Sequence, residues 1–307
     1  MAAGWAAYDA RLDNPGWVPW AVREQIMRHR DRMLKPGDPV EGRRIVVFTE
    51  QGLGDSVMFA RYLPLLAARG AVVTLACPPV LAPIMALVDG IETLLTPPAE
   101  HPDGKLNLSA VTFDAFAPLM SLPHVFGSAE ATIPAEVPYL RADPALTEVW
   151  RARYEASGRP GHRRVGIVFQ ANPSARNAAQ RSLGLGDVAR IARVAGIDLV
   201  NLQHGAPGRA LAASVEGVID VTAEALALDA YAAAIAATDV LISVDTMAAH
   251  CAGAMDHPVR VALPATPDWR WGRDATTTPW YASATLFRQA ADQSWDEVVA
   301  GLCAVGA

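Results

Sequence analysis

Ile45-Val46-Val47-Phe48-Thr49-Glu50-Gln51-Gly52-Leu53-Gly54-Asp55 is the stretch whose reading decides the fold. The β-branched and aromatic run Ile45–Thr49 reads as a strand buried on both faces, the habit of a parallel sheet. Two glycines follow, which let the backbone turn tightly and leave room for a ligand. From Ser56 the apolar spacing of Val57, Met58, Ala60, Tyr62, Leu63 and Leu66 predicts a helix as far as Arg69, closed by Gly70. A strand, a glycine loop and a helix open a βαβ unit, and such sheets bind ligands at the carboxyl ends of their strands. The dinucleotide fingerprint is incomplete, because Val57 stands where the third glycine belongs.

The same alternation continues outward. Strands are expected over Val72–Cys77 and Ile91–Leu95, with a helix over Pro79–Val88 between them. Ala110–Phe116 and Pro118–Phe126 show no clear period. Val137–Pro144 is extended and ends on proline, which suits a linker, and a polar helix follows over Ala145–Ala156. Strands then recur at Val165–Gln170, Asp198–Gln203, Gly217–Val221, Asp239–Val244 and Pro258–Leu263, with a last short one around Leu286 and Phe287. Helices are expected over Leu185–Ala195, Leu228–Ala237, Met247–Met255 and Trp295–Val305. Two βα series predict two doubly wound α/β domains. The expected division is an N-terminal helical extension over 1–43, a first Rossmann-like domain over 44–142, a second over 143–289 and a terminal helix in 290–307. The extension differs in composition, with Trp5, Trp17, Trp20, an arginine-rich stretch from Arg23 to Arg32 and helical spacing over Ala21–Leu34.

Composition bounds the function. The chain has 307 residues, 51% hydrophobic and 19% charged, enough apolar material for full cores. A net charge of −6 disfavours nucleic acid as a main partner. No long apolar run is free of charge, Gly or Pro, so no transmembrane segment is expected. The first residues lack a signal-peptide pattern, and Cys77, Cys251 and Cys303 lie far apart among apolar neighbours, which together predict buried free thiols and a cytoplasmic protein. The seven histidines are scattered and no Cys-x-x-Cys pair exists, so no metal site is expected. Lys35 and Lys105 are the only lysines among 26 basic residues, so a fixed cation in a site is an arginine or a histidine.

The carboxyl-end rule picks out residues 50–55, 170–182 and 244–250. In the first, Gln51, Gly52 and Gly54 shape a loop and Asp55 stands at the helix start, as a reacting carboxylate or as a cap. In the second, Gln170, Asn172, Ser174, Arg176 and Arg181 make a polar loop, either a diphosphate clamp or a solvated surface. In the third, Asp245, Thr246 and Met247 open a helix and His250 lies four residues after Thr246, on the same helix face. That arrangement fits an anion, and it equally fits a cap and a core histidine. A fourth cluster, Asp268-Trp269-Arg270-Trp271, offers aromatic faces to a sugar or base, or braces its own loop.

Taken in order, these segments resemble the glycosyltransferase family 9-like (heptosyltransferase-like) domain, in the version that ends bacterial tetratricopeptide-repeat proteins. The resemblance is carried by Glu50–Asp55 with Phe59-Ala60-Arg61-Tyr62-Leu63-Pro64 behind it, by Val165–Ser182, by Asp239–His250, and by Pro267–Tyr281 with Leu286-Phe287-Arg288-Gln289. It spans roughly residues 43–300, and Tyr8–Leu12 resembles the end of a last repeat helix. It implies a GT-B fold, two Rossmann-like domains facing a cleft, with the acceptor on the first, the donor on the second and the terminal helix packing back towards the first. It implies metal-independent transfer of a sugar from a nucleotide-diphosphate donor to a hydroxyl, with no cofactor. The acceptor would be a protein such as a flagellin, or a lipopolysaccharide or other lipid-linked glycan. Asp55 would be the general base, and Asp245, Thr246, Met247 and His250 would hold the diphosphate. Met247 stands where heptosyltransferases usually carry glycine, and Arg181, with Arg176 second, stands in for their phosphate-binding lysine. Two other functions fit the same layout: a non-catalytic GT-B module that binds a nucleotide or partner, and a nucleotide-sugar epimerase.

Overall fold

The computed structural model describes residues 2–14, 28–97, 111–175, 177–222, 226–273 and 275–304. The chain divides into two compact units, Met1–Arg141 and Ala142–Ala307, and the division falls inside the proline-containing segment Val137–Pro144.

In the first unit, β1 (Arg44–Phe48), β2 (Val72–Ala76), β3 (Thr93–Leu95) and β4 (Ala115–Pro118) form one parallel sheet in the order β3-β2-β1-β4. The central strand is buried on both faces, with Ile45, Val46 and Val47 at most 1% exposed, as its unbroken β-branched run predicts. Helix α1 (Ala2–Tyr8) belongs to this unit. Its Trp5 is buried edge-on against Phe59 with ring centroids 5.9 Å apart, and Leu12 joins Val46 and Phe116 in the core.

The helix expected over Ser56–Arg69 is two helices, α2 (Leu53–Phe59) and α3 (Tyr62–Ala68). Pro64 explains the break: it has no N–H to give, and its ring would strike the carbonyl of Ala60 one turn back. Helix α2 also starts before Ser56, so Gly54 and Asp55 are already helical. The helix expected over Pro79–Val88 shrinks to α4 (Ala82–Met85), and α5 (Leu122–Val125) follows β4. Of the helix expected over Ala21–Leu34, residues 21–27 lie outside the described ones, as do Trp17 and Trp20; the described part has a 3-10 turn at Arg30–Arg32.

The second unit opens with α6 (Pro144–Ser157), whose Asp143 cap accepts from the amides of Ala145 and Leu146 at 2.7 and 3.0 Å. Then β5 (Arg163–Val168), α7 (Leu185–Ala192), β6 (Ile197–Asn201), α8 (Gly205–Ser214), β7 (Ile219–Asp220), α9 (Leu228–Ala236), β8 (Val240–Val244), α10 (Met247–Ala254), β9 (Val259–Leu263), β10 (Ala284–Arg288) and α11 (Asp296–Cys303) follow. All six strands are parallel, in the order β10-β9-β8-β5-β6-β7. Helix α8 escapes a reading of periodicity because two glycines and a proline crowd its first turn. Proline is tolerated there, and Gly208 packs so closely on the loop that leaves β6 that a β-carbon would lie 1.7 Å from the Gln203 carbonyl oxygen. The terminal helix α11, expected to pack back towards the first domain, puts Val298, Val299 and Leu302 into the core of its own unit beside Val165 and Ile242. Its apolar stripe is met there by α7 and β10. All three cysteines are free thiols; Cys77 and Cys251 are buried, and Cys303, expected to be buried too, is half-buried.

One polar lock ties β5 to β6. Asp198 is 2% exposed and accepts from Arg159 Nε and the Arg159 amide, both at 2.7 Å, and from Arg164 Nη1 at 2.6 Å. Burial opposes its charge, but the Arg159 hydrogen bonds and the two guanidiniums prevail and hold the carboxyl below the usual carboxylate range. A depressed acid stabilises the fold above its unfolded value of about 3.9 and loses that contribution as the pH falls through its folded value. Asp198→Asn is therefore expected to lower the melting temperature at neutral pH and to flatten the acid limb of stability below about pH 4, read by thermal melts across pH. An unchanged acid limb would show that the lock carries no linkage.

Candidate functional site

Each unit carries polar groups at the carboxyl ends of its strands, and each is built locally. In the first unit β1 runs into Thr49 and Glu50, both buried, then Gln51 in the left-handed region at φ 63°. Gly52 caps α2, and the Asp55 carboxylate reaches back to accept from the Gly52 amide at 3.0 Å. A β-carbon on Gly52 would itself lie 3.0 Å from that carboxylate oxygen, so glycine is what lets the two approach. Asp55 thus stands in the first turn of the helix, where the dipole favours a negative charge, and not at the cap.

In the second unit the chain reverses its winding between β5 and β8, the switch point at which doubly wound sheets hold ligands. The loop after β5 and the turn after β8 meet there. Arg181 places Nη2 2.8 Å from Asp245 Oδ2 and also donates to the Asp245 carbonyl. The Arg181 Nε is buried and makes no hydrogen bond among the described residues. Asp245 is 3% exposed; burial raises its carboxyl above the usual range and outweighs the opposing pull of Arg181.

The Thr246 hydroxyl lies 3.1 Å from Ser243 Oγ, so it does not cap α10, whose first amides follow with Met247. His250, one turn on, is buried. Its Nδ1 lies 3.0 Å from the Tyr281 hydroxyl, its Nε2 4.0 Å from Asp245 Oδ1, and its ring stacks on Trp271 with centroids 5.3 Å apart. Gly253 makes room for this arrangement: a β-carbon there would lie 2.3 Å from the Tyr281 ring.

Beside this cluster lies a cavity of about 430 Å³. Arg181 lines it with Asn177 and Gln180 from the loop after β5, Thr266 and Asp268 from the loop after β9, and Gln289 and Gln293 beyond β10. Arg181 is thus common to the cavity and to the Asp245 cluster. Asp268 accepts from Arg270 Nη1 at 3.1 Å. The neighbouring aromatics divide: Trp271 is buried behind His250 and braces the loop, whereas Trp269 is 51% exposed.

The remaining sequence candidates serve the loop itself. Gln170 donates its amide to Gln203 Oε1 at 2.8 Å, and Asn172 Oδ1 accepts from the Ser174 amide at 3.0 Å to close a turn. Neither these three nor Thr246, Met247 and His250 line the cavity. Arg176 lies outside the described residues. Sequence reasoning missed Gln180, Gln289, Gln293 and Tyr281 as site residues. The carboxyl-end rule, applied to β9 and β10 as well, leads straight to Gln289 and to Thr266. Among the described residues no group of three or more His, Cys, Asp or Glu side chains is placed to hold a metal ion. No described helix is long and apolar enough to cross a membrane.

No family model matches the chain. Protein FlbA of Caulobacter vibrioides is 30% identical over an alignment that covers 94% of this chain and 49% of FlbA, so the chain spans about half the length of this curated relative. Three solved structures share its architecture. The family 9 glycosyl transferase of Veillonella parvula superposes with a TM-score of 0.62 at 13% identity, over 82% of this chain and 87% of that one. The E. coli ADP-heptose lipopolysaccharide heptosyltransferase II superposes with a TM-score of 0.63 at 15% identity, over 85% and 98%. The chain has a glycosyltransferase family 9-like fold. The E. coli heptosyltransferase WaaC, solved with ADP, agrees with a TM-score of 0.52 at 13% identity, over 84% and 95%. The two parallel sheets are accordingly the two halves of an α/β GT-B architecture. Within the GT-B fold, the glycine loop of the first half and the Arg181–Asp245 cluster of the second are the polar features that the strand ends present.

Proposed function

We propose that this chain is a glycosyltransferase that moves a sugar from a nucleotide-diphosphate donor to a hydroxyl acceptor without a metal ion. The observation that carries the reading is the Arg181–Asp245 pair at the switch point of the second sheet, bordering a cavity of about 430 Å³. A leaving nucleoside diphosphate needs fixed positive charge and amide donors; Arg181, with its unused Nε, and the first amides of α10 are the groups suited to supply them. His250, held by Tyr281 and Trp271, stiffens the start of α10. In the first unit Asp55 takes the acceptor proton as the general base. Asp268, which lines the cavity, and the exposed Trp269 next to it contact the sugar or base in this reading. The acceptor is a protein hydroxyl, as on a flagellin-like surface protein, or a sugar hydroxyl of a lipopolysaccharide or other glycan.

The ion pair also favours a second reading, a nucleotide-binding module without turnover, because Asp245 already occupies the guanidinium a donor would use. Both readings predict binding and only the first predicts transfer. A thermal-shift screen of ADP, UDP, GDP and CDP is expected to find one that stabilises the protein by about 4 kcal/mol when present at 1,000 times its Kd. Absence of any shift at millimolar concentration would remove both readings. Binding without release of nucleoside diphosphate from the matching nucleotide sugar, in the presence of candidate protein and glycan acceptors, would leave the second.

A further inference from the structure

The segment Tyr8–Leu12 does more than fill the core of the first unit. Arg11 is only 7% exposed, and a buried guanidinium is costly unless its donors are met. They are met largely by the start of the glycine loop. Arg11 Nε donates to Glu50 Oε2 at 3.0 Å, and Nη2 pairs with Glu50 Oε1 and donates to Ser121 Oγ at 3.0 Å. Nη1 donates to the Tyr8 carbonyl at 3.1 Å and to Asp9 Oδ1 at 3.0 Å. Asp9 is fixed in turn by Ser121 Oγ and by His124 Nδ1, each at 2.7 Å.

The next residue is held by the same segment. Gln51 adopts φ 63°, a conformation that a residue with a side chain keeps only where its surroundings impose it, and its Nε2 donates to the Tyr8 hydroxyl. Both residues ahead of Gly52 are therefore gripped from residues 8–11, and the Gly52 amide is the one that Asp55 accepts. We infer that Arg11 and Tyr8 are positioning residues for the Gly52–Asp55 turn: they fix Glu50 and Gln51, and through them the carboxylate. The catalytic meaning of this role rests on the reading of Asp55 as general base; the holding of the loop does not.

The test uses Arg11→Met/Glu50→Leu, which exchanges the buried pair for apolar side chains of similar reach and spares the fold a lone buried charge. In that folded variant, amide hydrogen exchange at Gly52 and Ser56, whose amides are held by Asp55 and by the Gly52 carbonyl, is expected to quicken about tenfold while the β2 and β5 amides stay protected. Turnover is read as nucleoside diphosphate release from whichever of ADP-glucose, UDP-N-acetylglucosamine and GDP-mannose the wild type consumes fastest. There kcat is expected to fall about 30-fold with the donor KM within about twofold. Arg11→Lys, which keeps the charge and loses the fork, should fall between the two. Tyr8→Phe removes the hydroxyl's contacts to Gln51 and to Met120 Sδ (3.9 Å), spares the Arg11–Glu50 pair, and should move both readouts the same way by about threefold. Wild-type exchange and turnover in the folded double variant would overturn the inference, and should that variant not fold, unchanged values in Tyr8→Phe would do so. Faster exchange together with a fully active Asp55→Asn would sink the base reading and leave the loop-holding role standing.

Discussion

Asp55→Asn is expected to lower transfer by about 1,000-fold in kcat, the middle of the range for removal of a general base. The substitution is close to isosteric, and its amide oxygen can still accept from Gly52, so the turn between the two residues should survive. The melting temperature should therefore stay within a few degrees of the wild type, which separates lost chemistry from lost fold. Asp55→Ala removes the Gly52 contact as well and should cost about 1 kcal/mol more in stability, on the scale of other helix-start hydrogen bonds. Donor binding should not change in either variant, because every proposed donor contact lies in the second unit. The measurement is release of nucleoside diphosphate with acceptor present, beside calorimetry of the donor. Transfer within threefold of the wild type in Asp55→Asn would mean that the proton leaves by another group.

The second large effect is on Arg181. Arg181→Ala is expected to weaken nucleoside diphosphate binding by at least about 30-fold, the equivalent of about 2 kcal/mol for a lost charge-assisted contact. It should also destabilise the fold by about 3 kcal/mol, because Asp245 is then a buried charge with its nearest guanidinium gone. The pH dependence follows from direction alone. Burial already raises the Asp245 carboxyl against the pull of Arg181. A raised acid favours the fold when protonated, and that contribution is lost as the pH climbs through the folded value. Removing Arg181 should enlarge this loss, so thermal melts of Arg181→Ala should fall increasingly below the wild type as the pH rises above the usual carboxylate range. Arg181→Ala/Asp245→Asn takes away both charges and should recover most of the stability without recovering the affinity. If the double variant binds ADP, UDP, GDP and CDP as the wild type does, Arg181 is a structural partner of Asp245 and no clamp.

Much of this protein is legible along the chain. The short runs at Ile45–Phe48, Val165–Val168 and Val240–Val244, rich in Val and Ile and without polar alternation, announce parallel strands, because a sheet covered on both faces accommodates them. Once the strands are placed, the loops at their carboxyl ends follow, and Asp55, Arg181 and Asp245 with them. Local chemistry hides the rest where two rules collide. Pro64 splits a helix whose apolar spacing runs through it, and the Gly205-x-Pro207-Gly208 start masks α8, which needs those small residues to lie against Gln203.

From the sequence alone Asp55 fits a cap or a reacting carboxylate, and the fold sets it inside the first turn, where it accepts from Gly52. Arg181 and Asp245 are 64 residues apart and become partners because β5 and β8 are neighbours in the sheet. His250 and Tyr281 meet because Gly253 leaves a gap for the ring, and Arg11 reaches Glu50 across 39 residues of chain. Residue order dictates periodicity, turns and caps, since those forces act over a few bonds. Which charge neutralises which, and which buried carboxylate is left raised, depends on strand order and on the volume left between elements, and those exist only once the sheets have closed.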